Sequence, residues 1–173
     1  MEKFDLYDDD RLPLNRSLTR GTTCGENENR MVVHVCIFNS KGEMLIQQRV
    51  STKKSWPNLW DITLGGCATT KETSKDAAHR ELLEELGIDY DFSHTRPHLT
   101  INFPHGFDDY YLLSLDSLDI STITLQKEEV SAIKWASKED IIHLLKENKF
   151  IPYHQSFVLS LFDIKDQYGV IKD

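Results

Sequence analysis

The sequence predicts an α/β fold in which a mixed sheet is flanked by helices, and three observations carry this. Apolar, β-branched runs at 31–38 and 43–50 enclose a short polar turn, as paired strands do. Segment 74–86 combines helical periodicity with its own start and stop signals. Segments 138–148 and 153–168 repeat apolar residues at helical spacing. With 39% hydrophobic residues, the 173-residue chain is long enough for a single domain spanning 1–173.

The elements follow in order. Residues 1–28 read as an N-terminal hairpin extension, because FDLYDDDRLPLNRSLTRG sets short apolar stretches around Asp8, Asp9 and Asp10. MVVHVCIF, the turn Asn39–Gly42 and EMLIQQRV form a second hairpin. KKSWPNLWD is a loop, and ITLGG a short strand ending on Gly65 and Gly66. The helix 74–86 opens at Thr73 or Ser74, with Asp76 placed to close a capping box on Thr73, and Gly87 ends it. LTINF and YYLLSL read as a strand pair separated by PHGFDD, and a further strand lies near Val130–Trp135.

Composition excludes several function classes. A formal net charge of −8 does not suit a protein that wraps a nucleic-acid polymer, which needs a basic surface. No run of about eighteen apolar residues is present to span a membrane, and the acidic start MEKFDLYDDDR is unlike a secretion signal, so the expected location is cytoplasmic. Cys24, Cys36 and Cys67 lack the spacing of a disulfide framework or a zinc site. A phosphorylated small molecule must then be met by local positive charge, for which a bound divalent cation is the obvious source.

Helix 74–86 carries the chemistry. Counting about 100° per residue from Glu81 puts Glu84 about 60° to one side and Glu85 about 40° to the other, so three carboxylates share one face. Ala78, Leu82 and Leu86 lie toward the other side, giving a packing face separated from a charged face. Like charges at these spacings destabilise a helix by a few tenths of a kcal/mol per pair. A solvated glutamate face with Arg80 and Lys75 as relief explains the carboxylates alone. A hard-cation site, in which the carboxylate oxygens hold the ion, is the other reading, and a solvated face leaves Gly66, Gly87, Glu72 and Arg80 unexplained. Gly66, Glu72, Arg80, Glu81, Leu82, Glu84, Glu85, Gly87 and Ile88 meet nine constraints that chance would satisfy at a given start on the order of once in 10⁸ or rarer. The Gly65 carbonyl is a further candidate oxygen ligand, and a Glu72–Arg80 pair would tie the loop to the helix.

These residues match GX5EX7REUXEEXGU, the signature of the Nudix family, and the chain thereby resembles that family. The resemblance implies a Nudix-like α/β/α sandwich and magnesium-dependent hydrolysis of a diphosphate linkage in a nucleoside diphosphate derivative or related small molecule. It implies one to three Mg²⁺ ions at Glu81, Glu84 and Glu85, with Mn²⁺ as a substitute, and a metal-activated water as nucleophile. Glu81 is the first choice of general base, with Glu128 or Glu129 as the outside candidate and Glu129 as a further metal ligand. Homodimers are common in the family, and FVLSLF at 157–162 suits either a core or an interface.

FDLYDDDR, Thr19–Gly21, VCIFNSKGEMLIQQR and KKSWPNLWD further resemble the Nudix branch that includes isopentenyl-diphosphate isomerase. That isomerase uses a cysteine where this chain has Gly65, so isomerisation is the alternative to hydrolysis and a non-catalytic nucleotide-binding module a third reading. Arg49, Lys53 and Lys54 are candidate contacts for substrate phosphate. Trp56 and Trp60 are expected to pack in the core, His34 to be a hydrogen-bonded core residue, and His105 to sit in a loop bordering the site.

Overall fold

The computed structural model describes residues 2–171. Strands β1 (Lys3–Tyr7) and β2 (Pro13–Thr19) form an antiparallel ladder around the expected turn, where the Asp8 carboxylate accepts from the amides of Asp10 and Leu12. Phe4 and Leu6 are buried with Cys24 in a small core of their own. The ladder docks on the loop before the first helix, since the Thr70 amide donates to the Lys3 carbonyl at 3.0 Å and the Lys71 amide to Asp5 at 2.8 Å.

The main sheet contains β3 (Arg30–Phe38), β4 (Met44–Arg49), β5 (Trp60–Asp61), β6 (Leu64–Cys67), β7 (Leu99–Phe103), β8 (Gly106–Ser114) and β9 (Val130–Ala136). Its path runs β5-β4-β3-β8-β7, with β6 added on β3 and β9 on β4. β3 runs parallel to β8 along its whole length and antiparallel to β6, from Val32 opposite Cys67 to Val35 opposite Leu64. The expected β3–β4 hairpin is therefore corrected. The two strands pair only at Phe38 and Met44, beside their turn, and then diverge. Thr63, fully buried, stands between them: its hydroxyl accepts from the Ile37 amide at 2.9 Å and donates to the Leu45 carbonyl at 2.5 Å. One side chain thus satisfies backbone groups that a continuous ladder would have paired.

Alternation along β3 divides the core. Val33, Val35 and Ile37 pack against Ala77, Ala78, Leu82 and Leu86 of α1 (Ser74–Leu86), while Cys36 and Phe38 face Ile141 and Leu144 of α2 (Lys138–Lys146) and Val158 and Leu161 of α3 (Gln155–Ile164). The result is the expected sheet between helical layers. α1 begins at Thr73 with both capping-box bonds to Asp76 and ends at Gly87, whose φ of 65° is the left-handed value glycine accepts without strain. α3 is shorter than the helical spacing of 153–168 implied, and Val158 and Leu161 of FVLSLF are turned into the core.

PHGFDD is not a six-residue connection. Only Pro104 and His105 turn, with φ 65° at His105, and β8 already begins at Gly106. The sequence hid this because Asp109, 1% exposed, is an unusual interior residue; Arg11 from the N-terminal ladder grips its carboxylate with two bonds of 2.9 and 3.1 Å. Among the described residues no helix is long and apolar enough to cross a membrane.

Candidate active site

α1 presents its three glutamates to a cleft beside β6, and the packing of the helix grades their exposure. The Glu84 side chain is 51% exposed and that of Glu81 13%, while Glu85 as a residue is 7% exposed. The clean division between packing face and charged face is thus corrected: Glu85, at about 40° on the helical wheel, lies on the buried side, where the Gln47 side chain from β4 meets it. Its only side-chain hydrogen bond among the described residues comes from the Gln47 amide, at 3.1 Å. Glu81 lies over Gly66, where a Cβ would come within 2.1 Å of its carboxylate carbon, so the glycine makes the room this glutamate occupies.

Arg80 organises the acidic face from its flank. Nε and Nη2 donate to the two oxygens of Glu72 at 2.6 and 2.9 Å, Nη2 also reaches the Cys67 carbonyl, and Nη1 donates to Glu81 at 2.9 Å and Glu84 at 3.2 Å. The Glu72–Arg80 pair anticipated from spacing is present, and it ties the loop and the end of β6 to α1. Burial works against ionisation of Glu72, yet the Arg80 guanidinium and the Thr69 amide hold its carboxyl below the usual range. Burial raises Glu81 despite the help of Arg80. Glu85 is pushed up to about 8 by burial and then by the charge of Glu81, with the Gln47 amide opposing.

The cleft, of about 280 Å³, is lined by Gly65, Gly66, Arg80, Glu81, Glu84, Glu85, Arg49, Lys53 and Glu129, together with Glu2, Arg20, Cys67 and Gln126. It adjoins a larger pocket of about 900 Å³, and Arg49, Lys53, Arg20 and Glu129 line both. Lys54 and Glu128 border only the larger pocket, whose wall also carries Lys3 and Arg30. Lys53 is ion-paired with Glu129. The structure thus brings Arg49, Lys53, Glu129 and the three α1 glutamates to one cleft and leaves Lys54 and Glu128 outside it. Sequence reasoning missed Arg20, Arg30 and Gln47. Gln47 was detectable as a polar residue at the same strand parity as buried Leu45.

The other expectations divide. Trp60 is partly buried against the second core, with Lys134 over its ring at 4.6 Å, but Trp56 is 49% exposed, a correction: φ 52° in a tight turn directs its ring away from the core. His105 borders a separate depression with Asn29 and Phe107. His34 stacks on Tyr110 at 4.6 Å with Nε2 3.4 Å from Asp108, but its Nδ1 has no partner. That ring fills the space a side chain at 65 would need, since a Cβ on Gly65 would lie 2.4 Å from Nδ1.

As it stands, no three Asp, Glu, His or Cys side chains among the described residues converge as a preformed ligand set, because Glu81 and Glu84 are turned onto Arg80. The donor chemistry nonetheless fits a hard divalent cation. Glu85 is a buried carboxylate neutralised by no hydrogen-bonded cation, Glu81 sits in the room left by Gly66, and Gly65 adds a backbone carbonyl at the same cleft.

Residues 28–157 match the family model described as the NUDIX domain. The chain belongs to the Nudix family. The uncharacterized Nudix hydrolase lmo0368 of Listeria monocytogenes is 43% identical over 166 residues, which cover 96% of each chain. Isopentenyl-diphosphate Delta-isomerase of Corynebacterium efficiens is 39% identical over only 54 residues, 31% of this chain and 28% of that one, so this likeness is confined to a short stretch. Among solved structures, DR0079 from Deinococcus radiodurans superposes with a TM-score of 0.75 at 23% identity, over 92% of this chain and 98% of that one, and shares the fold. This chain is a Nudix hydrolase, of a family that acts on small molecules and generally uses divalent metals.

Proposed function

We propose that this Nudix hydrolase cleaves the diphosphate linkage of a nucleoside diphosphate derivative or related small molecule with Mg²⁺, for which Mn²⁺ substitutes. The observation that carries the reading is the continuity of a carboxylate cleft with a cation-lined pocket, joined by Arg49, Lys53 and Arg20. A diphosphate laid across that junction would meet carboxylate-held metal at one end and guanidinium and ammonium groups at the other.

Glu81, Glu84 and Glu85, with the Gly65 carbonyl and Glu129, would hold the cation. When bound, it neutralises charge on the diphosphate oxygens and lowers the pKa of water. Arg80 engages Oε1 of Glu81, which leaves Oε2 as the atom to accept a proton from the attacking water. Water oxygen then bonds to one phosphorus as the bridging P–O bond breaks, and the bridging oxygen departs with the other phosphoryl group. Arg49 and Lys53 bind phosphoryl oxygens at the junction, and Lys54 acts farther out. Glu129 is the better outside base on position, since Glu128 borders only the larger pocket.

The isomerase reading loses support on two points. No acid–base side chain stands at Gly65, and its space is taken by His34. The Cys67 thiol donates to the Met31 carbonyl at 3.4 Å and is pushed up to about 11 by burial.

The test is a Mg²⁺-dependent screen over nucleoside diphosphates and triphosphates, nucleotide sugars, dinucleotides and isopentenyl diphosphate, run beside Glu85→Gln. Cleavage of one class, lost in the variant, supports the reading. Isomerisation of isopentenyl diphosphate without hydrolysis overturns it. No reaction together with no Mg²⁺-dependent melting shift would indicate a binding module instead.

A further inference from the structure

We propose that Gln47 is a positioning residue that sets the orientation of Glu85 toward the divalent cation, an inference that rests on the reading of Glu81, Glu84 and Glu85 as cation ligands. Gln47 is 3% exposed, in the middle of β4. Its backbone is fixed on both edges, with Asp61 of β5 opposite it on one side and Ile133 of β9 on the other. The side chain therefore starts from a position that cannot drift. Its Nε2 donates to Oε2 of Glu85 at 3.1 Å, while its Oε1 is buried with no hydrogen-bond partner among the described residues.

That asymmetry is informative. A glutamine retained to stabilise the core would be expected to satisfy both ends of its amide, because a buried unpaired carbonyl is unfavourable. A methionine or leucine would fill similar space without that penalty. The amide makes one side-chain hydrogen bond, and that bond goes to the glutamate most deeply buried at the cleft. The dependence runs both ways, because the Glu85 carboxylate accepts no other hydrogen bond among the described residues. Holding Oε2 from the strand side fixes the plane of the carboxylate and leaves Oε1 for the cleft. Partners that orient a ligating carboxylate in this way typically change metal affinity 10- to 100-fold when removed.

The experiment uses the whole 173-residue chain, with the metal-binding measurements made in the absence of substrate. Mg²⁺ binding is measured by titration calorimetry, and the bound-Mn²⁺ spectrum by electron paramagnetic resonance, for wild type, Gln47→Met, Gln47→Asn and Glu85→Gln. Met keeps the length without a donor. Asn keeps the amide one methylene too short to span the gap, and it serves if Met disturbs folding. Either variant should melt cooperatively in EDTA yet bind Mg²⁺ about 10- to 100-fold more weakly, with an altered Mn²⁺ spectrum. At saturating Mg²⁺, kcat should approach wild type with KM for the diphosphate substrate unchanged. Wild-type Mg²⁺ affinity in a folded Gln47 variant, with affinity lost in Glu85→Gln, would overturn the positioning role and leave the cation site standing. A wild-type protein that takes up no Mg²⁺ would overturn both.

Discussion

Replacing Glu85 by Gln should stabilise the metal-free protein as pH rises while removing its response to Mg²⁺. In the native chain the Glu85 carboxyl is pushed from 4.5 up to about 8 by burial and the nearby Glu81 charge. Between those values the native state holds a proton that the unfolded state has released. Stability conferred by the neutral carboxyl is therefore complete at or below about pH 4.5, declines as pH rises, and reaches its floor above about pH 8. At about 1.36 kcal/mol per unit, the decline from pH 6 to pH 8 is about 2 kcal/mol once partial protonation near pH 8 is included. For a chain of this length that corresponds to roughly 4–8 °C in Tm. The residue is 93% buried by accessible surface, so solvent screening does not erase the effect. Gln is neutral at both pH values and still offers an oxygen to the Gln47 amide. The assay is thermal melting in EDTA at pH 6 and pH 8, with and without millimolar Mg²⁺. Wild type should lose about 4–8 °C more than the variant between the two pH values. Mg²⁺ should recover that loss in wild type alone, because it binds the ionised carboxylate. Parallel pH dependence in the two proteins would refute the buried-carboxylate argument.

Gly66→Ala puts a Cβ within 2.1 Å of the Glu81 carboxylate carbon, whereas Gly65→Ala puts one 2.4 Å from the His34 ring, on the opposite face of β6. The first should lower kcat about 100-fold by displacing Glu81, a proposed cation ligand; the second should chiefly lower Tm, and equal Tm losses with equal activity would contradict the assignment of faces. Thr63→Val removes the hydroxyl bridging Ile37 and Leu45 and should cost about 1–3 kcal/mol, measured by urea unfolding. Lys53→Ala removes a cation common to cleft and pocket and should raise KM for a diphosphate by about tenfold, or about 1.4 kcal/mol of ground-state binding; an unchanged KM would place the substrate elsewhere.

Most of the fold was legible because its signals were local. The Thr73 capping box, the Gly87 stop and the apolar runs of β3 and β4 all lie within a few residues of the structure they specify. What was not legible depended on partners distant in sequence. Thr63 separates β3 from β4, yet it is 26 residues from Ile37. Asp109 is admitted to the interior of β8 by Arg11, 98 residues away, so the polar FDD segment looked like a turn. The site shows the same division. Spacing gave Glu72 with Arg80 and the three glutamates, whereas Arg20 joins the pocket because the N-terminal ladder docks there and Arg30 reaches it from the start of β3.

Burial weighs against one of the two explanations that the helical wheel left open. A solvated glutamate face requires water around its carboxylates, and only Glu84 meets that condition. Glu81 and Glu85 lie where ionisation is disfavoured, and Arg80 hydrogen-bonds only to the first of them. A folded chain that keeps Glu85 at this position gives up about 2 kcal/mol or more near pH 7 relative to a neutral isostere. That cost stands with the Gln47 amide already opposing it, because this hydrogen bond lowers the Glu85 pKa without returning it to the usual carboxylate range. A divalent cation is the kind of ligand that reverses the sign, because it favours the ionised form and stabilises the native state by mass action as its concentration exceeds its Kd. On the proposed reading the instability of Glu85 without metal and its use with metal are one property, and substitutions that relieve the first should abolish the second.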